Sequence, residues 1–439
     1  MLERESLAGA MGAFLTGVAV TSGPWLLTTF VLVLIRVSAL GTGAAGVGDA
    51  ERIITVVYAI VIVLGAPVDV VLSRYAADRV YEKRRDQIAA PLRRVLAGVV
   101  VGFAVVGVVA MALLAPPLGL AIPGAVLATV VGAQWLLLSA AGGLSSPGII
   151  LRAFAIGGPV SVVAALALSR PGALGQAGYL YGFGAGQLVT LGVLMTGTFR
   201  ALPREEDEAA SIAPAFRAYW LLAAAAFAFH AGIWVDKLVV YALAGGRVAS
   251  TYAALAAVAW LSVVPACAYL FVTVETLFHR RFQAFYGALH TGASLPALER
   301  MALDLRTEVG RTLRGTAAVQ ACVTLVGVLI ASRLGPRLAV DPDAGATLVW
   351  LFVGAGGQML ALSATLLLYY FDFRAEALIA AITQVVANGV LTYLARDHLG
   401  AGYAAACALT CVVAVTLLHG RMKRLLEETF QSQPYAGEG

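Results

Sequence analysis

The stretch that decides the fold is WLLAAAAFAFHAGIWVDKLVVYALA, residues 220–244. A helix needs about 20 predominantly apolar residues to cross a lipid bilayer, and this stretch is long enough. Asp236 and Lys237 stand side by side within it, with His230 and Trp234 shortly before them. Because ionisable side chains are costly in lipid, an acid–base pair at this depth indicates a functional site.

The same apolar pattern recurs along the chain. Its 439 residues are 60% hydrophobic and 13% charged, whereas a soluble protein carries about 25% charged residues. Twelve stretches predict membrane spans: 12–38, 53–73, 95–114, 122–141, 148–169, 177–199, 218–244, 250–275, 315–332, 346–370, 376–395 and 400–419. We predict an all-α integral membrane protein, because helices satisfy their backbone hydrogen bonds within each span.

Basic residues are distributed unequally between the connecting segments. With both termini in the cytoplasm, 22 of the 30 lysines and arginines fall in cytoplasmic segments and 6 fall outside. The positive-inside rule therefore predicts cytoplasmic termini in a bacterial inner membrane. The net charge of +5 reflects this topology and does not indicate binding to nucleic acid.

The polar connector 200–217 divides the spans six and six, so we expect lobes at 1–205 and 206–439. Gly23-Pro24-Trp25 recurs as Gly232-Ile233-Trp234, and Arg74-Tyr75 recurs as Arg281-Phe282 at a similar offset. These matches predict parallel repeats, which are common in transporters.

The longest cytoplasmic segment, 276–314, carries an amphipathic pattern within the second lobe. Its apolar residues recur at helical spacing opposite arginines: Leu298, Met301, Leu305, Val309 and Leu313. Ser294 and Pro296 suit the start of a helix. The helix would pack on the spans, lie in the lipid interface or bind a cytoplasmic partner.

Asp236 and Lys237 are the leading candidates for a transport path. Each would cost about 2.5–3.5 kcal/mol if it faced lipid. Successive residues point about 100° apart on a helix, so we do not expect an ideal ion pair; Lys237 would extend toward the outer surface while Asp236 points inward. The pair would either serve passage or ion coupling, or hold the lobe together through Arg36 or another span.

Further path or gating candidates lie in the same and other spans. His230 titrates near neutral pH in water, although a single helical histidine is more often packed or hydrogen-bonded. Gly23 and Pro24 would kink the first span beside Trp25. Three amides, of which the last two share a helix face, would bond either sugar hydroxyls or neighbouring helices: Gln358, Gln384 and Asn388.

Charged residues at the cytoplasmic ends of the spans form a second group. They would line an inner vestibule or contact a partner, or they would be ordinary solvated helix ends: Asp69, Arg74, Glu275, Arg280 and Arg281. A Walker A motif, an HExxH motif and a GxSxG motif are missing from the sequence. We therefore expect neither an enzyme nor a metal or other cofactor.

The chain resembles the PelG family of exopolysaccharide transporters, in the multidrug/oligosaccharidyl-lipid/polysaccharide (MOP) flippase superfamily. Four places carry the resemblance: Ser22-Gly23-Pro24-Trp25, Arg74-Tyr75 with Asp78-Arg79, Gly232-Ile233-Trp234-Val235-Asp236-Lys237, and the segment 282–301. The resemblance implies two six-helix bundles around a central cavity that passes a Pel-like amino-sugar polymer outward during biofilm matrix synthesis. It also implies a PelF-like cytoplasmic glycosyltransferase and PelD-like and PelE-like membrane partners.

On this hypothesis Asp236 accepts hydrogen bonds from the sugar, and Trp25 and Trp234 offer flat faces to pyranose rings. Membrane lipid surrounds the spans. Two alternatives remain open. One is a cation-coupled flippase for drugs or lipid-linked oligosaccharides in the same superfamily, and the other is a membrane scaffold for a polysaccharide synthase.

Overall fold

The computed structural model describes residues 47–144, 146–170, 173–203, 210–338 and 343–432. Within these ranges the regular structure is helical: α1 (Val47–Tyr81), α2 (Ala89–Leu114), α3 (Leu118–Gly143), α4 (Pro147–Leu168), α5 (Gln176–Arg200), α6 (Ala213–Ala218), α7 (Trp220–Trp260), α8 (Val264–Thr273), α9 (His279–His290), α10 (Leu295–Leu338), α11 (Ala344–Tyr370), α12 (Arg374–Leu394), α13 (Ala401–Lys423) and α14 (Leu425–Ser432).

Eleven helical segments in these ranges are long and apolar enough to cross a membrane. They coincide with eleven of the twelve predicted spans, and the span predicted at 12–38 lies outside the described residues. Helix α7 contains the seventh span and the beginning of the eighth, which continues through α8. The helix is broken at Gly245, where φ is 78° and ψ is 173°. Glycine adopts this positive φ without the steric penalty of other residues. The all-α membrane fold is thus confirmed.

The chain packs as two compact units, and the division falls between Ala231 and Gly232. The sequence instead suggested a boundary at the polar connector, 205/206. That lobe boundary stays a prediction, and the end of the connector packs on the first unit. Arg94 donates a hydrogen bond to the carbonyl of Ala210 at 2.9 Å, and the Tyr219 hydroxyl donates one to Asp78 at 2.7 Å.

Close helix contacts in the first unit depend on glycine. Helices α4 and α5 form its most extensive pair, and a Cβ added at Gly182 would lie 2.1 Å from the backbone nitrogen of Ala165. The Ser161 hydroxyl on α4 donates a hydrogen bond to the carbonyl of Phe183 on α5 at 3.3 Å. Small residues allow this approach, and close packing drives helix association where lipid is as apolar as the side chains.

The segment 276–314, predicted to be cytoplasmic, contains α9 and the first half of α10. The amphipathic helix is continuous with the ninth span, since α10 runs for 44 residues. Leu298, Leu305 and Val309 are buried, so the apolar face packs against the protein and does not lie in the lipid interface. A π-helical turn, Val274–Phe278, joins α8 to α9.

Candidate transport site in the second unit

Asp236 lies in the interior of the second unit and has no exposed surface. The Tyr252 hydroxyl donates a hydrogen bond to its Oδ2 at 2.9 Å, and Asn388 Nδ2 donates one to its Oδ1 at 3.3 Å. Lys237 Nζ lies 3.1 Å from Oδ1 and 3.0 Å from Oδ2. The carboxylate therefore joins both halves of α7 to α12.

Asp236 and Lys237 form an ion pair, although we did not expect an ideal one between successive residues. The lysine stem bends back along the helix, and Nζ donates a hydrogen bond to the Ile233 carbonyl at 2.8 Å. Nζ also lies 5.1 Å from the ring centre of Tyr403 and 5.9 Å from that of Trp234. The four-carbon stem is long enough to offset the angular separation of successive residues. The Lys237 side chain is only 13% exposed, so it does not extend outward.

A glycine brings α7 and α12 together at this point. A Cβ on Gly232 would lie 2.6 Å from the Cγ of Gln384, and without it Asn388 Nδ2 reaches the Gly232 carbonyl at 2.8 Å. The Thr392 hydroxyl then donates to Asn388 Oδ1 at 3.1 Å. The GIWVDK motif thus places Asp236 beside neutral hydrogen-bond donors from α12 and from the second half of α7.

The predicted amides continue this buried network. Gln384 Nε2 donates to the sulfur of Cys407 at 3.6 Å, and that thiol donates to Oε1 of Gln358 at 3.3 Å. Gln358, Gln384 and Asn388 are each at most 1% exposed. In this structure they bond helix to helix, which is the alternative to lining an open path.

The other path candidates differ in their surroundings, and Trp234 contacts the network through Lys237. His230 belongs to the first unit, and its Nδ1 lies 2.8 Å from the Ala226 carbonyl one turn earlier. Trp234 is half-buried. Four candidates lie outside the described residues: Gly23, Pro24, Trp25 and Arg36.

The five candidates for a vestibule or partner contact fall into different surroundings. Asp69 and Arg74 are half-buried in the first unit, and the Ser139 hydroxyl donates to the Asp69 carbonyl at 3.3 Å. In the second unit Glu275 is exposed in the π-helical turn. Arg280 is exposed, and its Nε donates to the Thr276 carbonyl at 3.3 Å.

Arg281 belongs to a charged cluster that the sequence did not reveal. Its Nη1 lies 3.3 Å from Glu308 Oε2 and donates a hydrogen bond to the Asp304 carbonyl at 3.2 Å. Arg311 Nη1 lies 2.9 Å from the same Glu308 oxygen. Glu308 has no exposed surface, so two arginines neutralise one buried carboxylate. One sequence feature could have indicated that Glu308 is buried: it falls between Leu305 and Val309 on the apolar face of the helix.

Tyr252, Tyr403 and Cys407 were also missed, because polar side chains inside apolar spans have no partner that a sequence can identify. In the part of the chain that the structure describes, no group of three or more metal-binding side chains comes together. The arrangement can hold a charge in the interior of a helix bundle.

The family model PelG, "Putative exopolysaccharide Exporter (EPS-E)", matches residues 1–430. The chain belongs to the PelG family. No curated protein sequence matches it.

The fold of this PelG family member is similar to that of solved MATE transporters. An inward-facing multidrug resistance MATE family transporter is 14% identical with a TM-score of 0.66, over 91% of this chain and 95% of that one. The Vibrio cholerae MATE transporter VcmN in its bent form is 12% identical with a TM-score of 0.66, over 96% of each chain. At such identities the likeness concerns the fold alone. Family and fold together identify a multi-pass membrane transporter of the exopolysaccharide exporter family.

Proposed function

We propose that this protein moves an amino-sugar exopolysaccharide from the cytoplasm across the inner membrane during biofilm matrix synthesis. Its membership of the PelG family carries this proposal, and the eleven apolar helices and the MATE-like fold support it. The substrate class follows the family description, and the amino-sugar character follows the resemblance of the GIWVDK segment and its companion motifs.

The Asp236 network has a positioning role in this proposal. Asp236 has no exposed surface, so a sugar cannot reach its carboxylate in this arrangement of the helices. It acts by fixing both halves of α7 against α12. The first half of α7 carries the half-buried Trp234. Trp234 remains our candidate for a flat contact with a pyranose ring.

The experiment is secretion of polysaccharide from a deletion strain that carries either the wild-type gene or Asp236→Asn, with membrane levels matched. Gly184→Ala is the control, since a Cβ there meets nothing within 4 Å. Loss of polymer on deletion, with recovery by wild type and by the control, supports export. Normal secretion from the deletion strain would refute it. Reduced secretion by Asp236→Asn at equal protein level would assign the network a role in export.

A second candidate function is cation-coupled flipping of a drug or a lipid-linked oligosaccharide. The observation that favours it is the likeness in fold to multidrug transporters. Uptake of such a substrate into vesicles that contain only this protein, driven by an imposed ion gradient, would support it. Failure of uptake under every imposed gradient would favour polymer export.

We further propose that a PelF-like glycosyltransferase and PelD-like and PelE-like membrane proteins bind this transporter. The cytoplasmic surface of α9 and α10 is our candidate contact, because it presents exposed arginines, among them Arg280, Arg300 and Arg314. Simultaneous replacement of these three by glutamate should abolish co-purification of a partner while leaving the protein in the membrane. Unchanged co-purification would place the contact elsewhere.

The proposed topology places both termini in the cytoplasm, as the distribution of basic residues predicts. A reporter that is active only in the periplasm should be inactive when fused after the carboxyl terminus. Activity of that fusion would reverse the orientation.

A further inference from the structure

The Lys237 ammonium is surrounded by groups that bind cations. Two carboxylate oxygens of Asp236 lie 3.0 and 3.1 Å from Nζ, and the Ile233 carbonyl oxygen lies 2.8 Å away. The ring faces of Tyr403 and Trp234 add attraction from a third direction, since aromatic rings attract cations within about 6 Å. Carboxylate, carbonyl and ring face together form a site for a small monovalent cation.

Lys237 also supplies the positive charge that this carboxylate needs. Tyr252 and Asn388 donate hydrogen bonds to Asp236, but both are neutral. A buried carboxylate without a positive partner is costly, because water no longer solvates its charge. The Lys237 ammonium therefore supplies the positive charge that a bound cation would otherwise supply beside Asp236.

The lysine side chain separates the site from its surroundings. Lys237 is 13% exposed, whereas Asp236 is 0% exposed. Shortening the side chain at position 237 would consequently open a small cavity that leads to the carboxylate and is lined by the same oxygens and rings.

We propose that Lys237 is a tethered counter-cation that permanently occupies a monovalent cation site, so that Asp236 is closed to exchangeable ions such as Na⁺. One consequence rests on the proposed function: if the protein exports a polymer, an ion bound at this carboxylate supplies no energy for that transport. The ligand class that the site would accept without the lysine is a small monovalent cation, either an alkali ion or a primary alkylammonium.

The test measures thermal unfolding of the purified full-length protein in detergent, followed by tryptophan fluorescence. Sodium chloride and methylammonium chloride are compared with choline chloride at the same ionic strength, because choline is too large for the site. The wild type should unfold at the same temperature in all three salts. Lys237→Ala should unfold several degrees lower in choline, and Na⁺ or methylammonium should restore the loss in a saturable way.

Lys237→Met is the matched control, since its side chain fills most of the cavity but carries no charge. It should be destabilised like Lys237→Ala and should not respond to either cation. Saturable stabilisation of the wild type by Na⁺ would overturn the proposal, because the site would then be open. Equal responses of Lys237→Ala to choline and to the small cations, or no response to any, would overturn it as well.

A second variant keeps the proposal testable if Lys237→Ala does not fold. Asp236→Asn combined with Lys237→Met removes both charges, and it should unfold at a higher temperature than Lys237→Met alone. A double variant no more stable than the single one would overturn the counter-cation role. These outcomes are independent of the secretion experiment, so failure of the export proposal would be recognised separately.

Discussion

Replacing Arg281 and Arg311 together by alanine should cost more stability than replacing Glu308 by glutamine, although both changes remove the same two ion pairs. The asymmetry follows from exposure. Glu308 is 0% exposed, whereas the arginine side chains are 39% and 55% exposed. Removing the arginines leaves a buried carboxylate without a positive partner, and such a loss costs roughly 3–5 kcal/mol.

Glu308→Gln leaves two arginines that water already reaches. Its cost should be close to that of an exposed ion pair, about 1 kcal/mol or less. Thermal unfolding of the purified protein in detergent compares the variants with the wild type. Arg300→Ala is the control, because Arg300 is exposed and its Nε bonds the Pro296 carbonyl of its own helix. A Glu308→Gln variant that unfolds at or below the temperature of the double arginine variant would refute the reasoning.

Three further predictions concern packing and interhelix contacts. Gly182→Ala should lower stability by about 1–3 kcal/mol or prevent accumulation, since its Cβ would lie 2.1 Å from a backbone nitrogen of α4. An immunoblot of membranes measures the accumulation, and Gly184→Ala, whose Cβ meets nothing within 4 Å, should be neutral in it. Asn388→Leu should cost roughly 0.6–1.7 kcal/mol in thermal unfolding, because two interhelix hydrogen bonds are lost. Arg421→Ala should expose α14 to limited proteolysis, since Arg421 pairs with Glu376 and Glu428, each at 2.5 Å.

Hydropathy predicted the membrane spans because the requirement for a long apolar run is local. The pairing of Asp236 with Lys237 was not predicted, since angular position on a helix ignores the reach of a lysine stem. Tyr252 meets Asp236 only because α7 reverses at Gly245. The gap between the predicted seventh and eighth spans, 245–249, indicated that reversal, but hydropathy could not say which side chains would meet across it.

The segment 276–314 shows the same limit of sequence-based prediction. Helical spacing correctly indicated an apolar face containing Leu305 and Val309, which are buried. The spacing could not say whether lipid or protein covers that face. Glu308 was passed over because an acid beside an apolar stripe usually reaches water, and its arginine partner on α9 lies 27 positions earlier in the chain.

The unbroken course of α10 has a mechanical consequence. With a rise of about 1.5 Å per residue, a helix of this length spans about 66 Å. Near its middle the helix rests against Tyr269, since a Cβ on Gly315 would lie 2.0 Å from the tyrosine hydroxyl oxygen. If α10 tilted as a rigid rod about that contact, its two ends would move in opposite directions. Because Glu308 on α10 pairs with Arg281 on α9, such a tilt would move α9 together with the first half of α10.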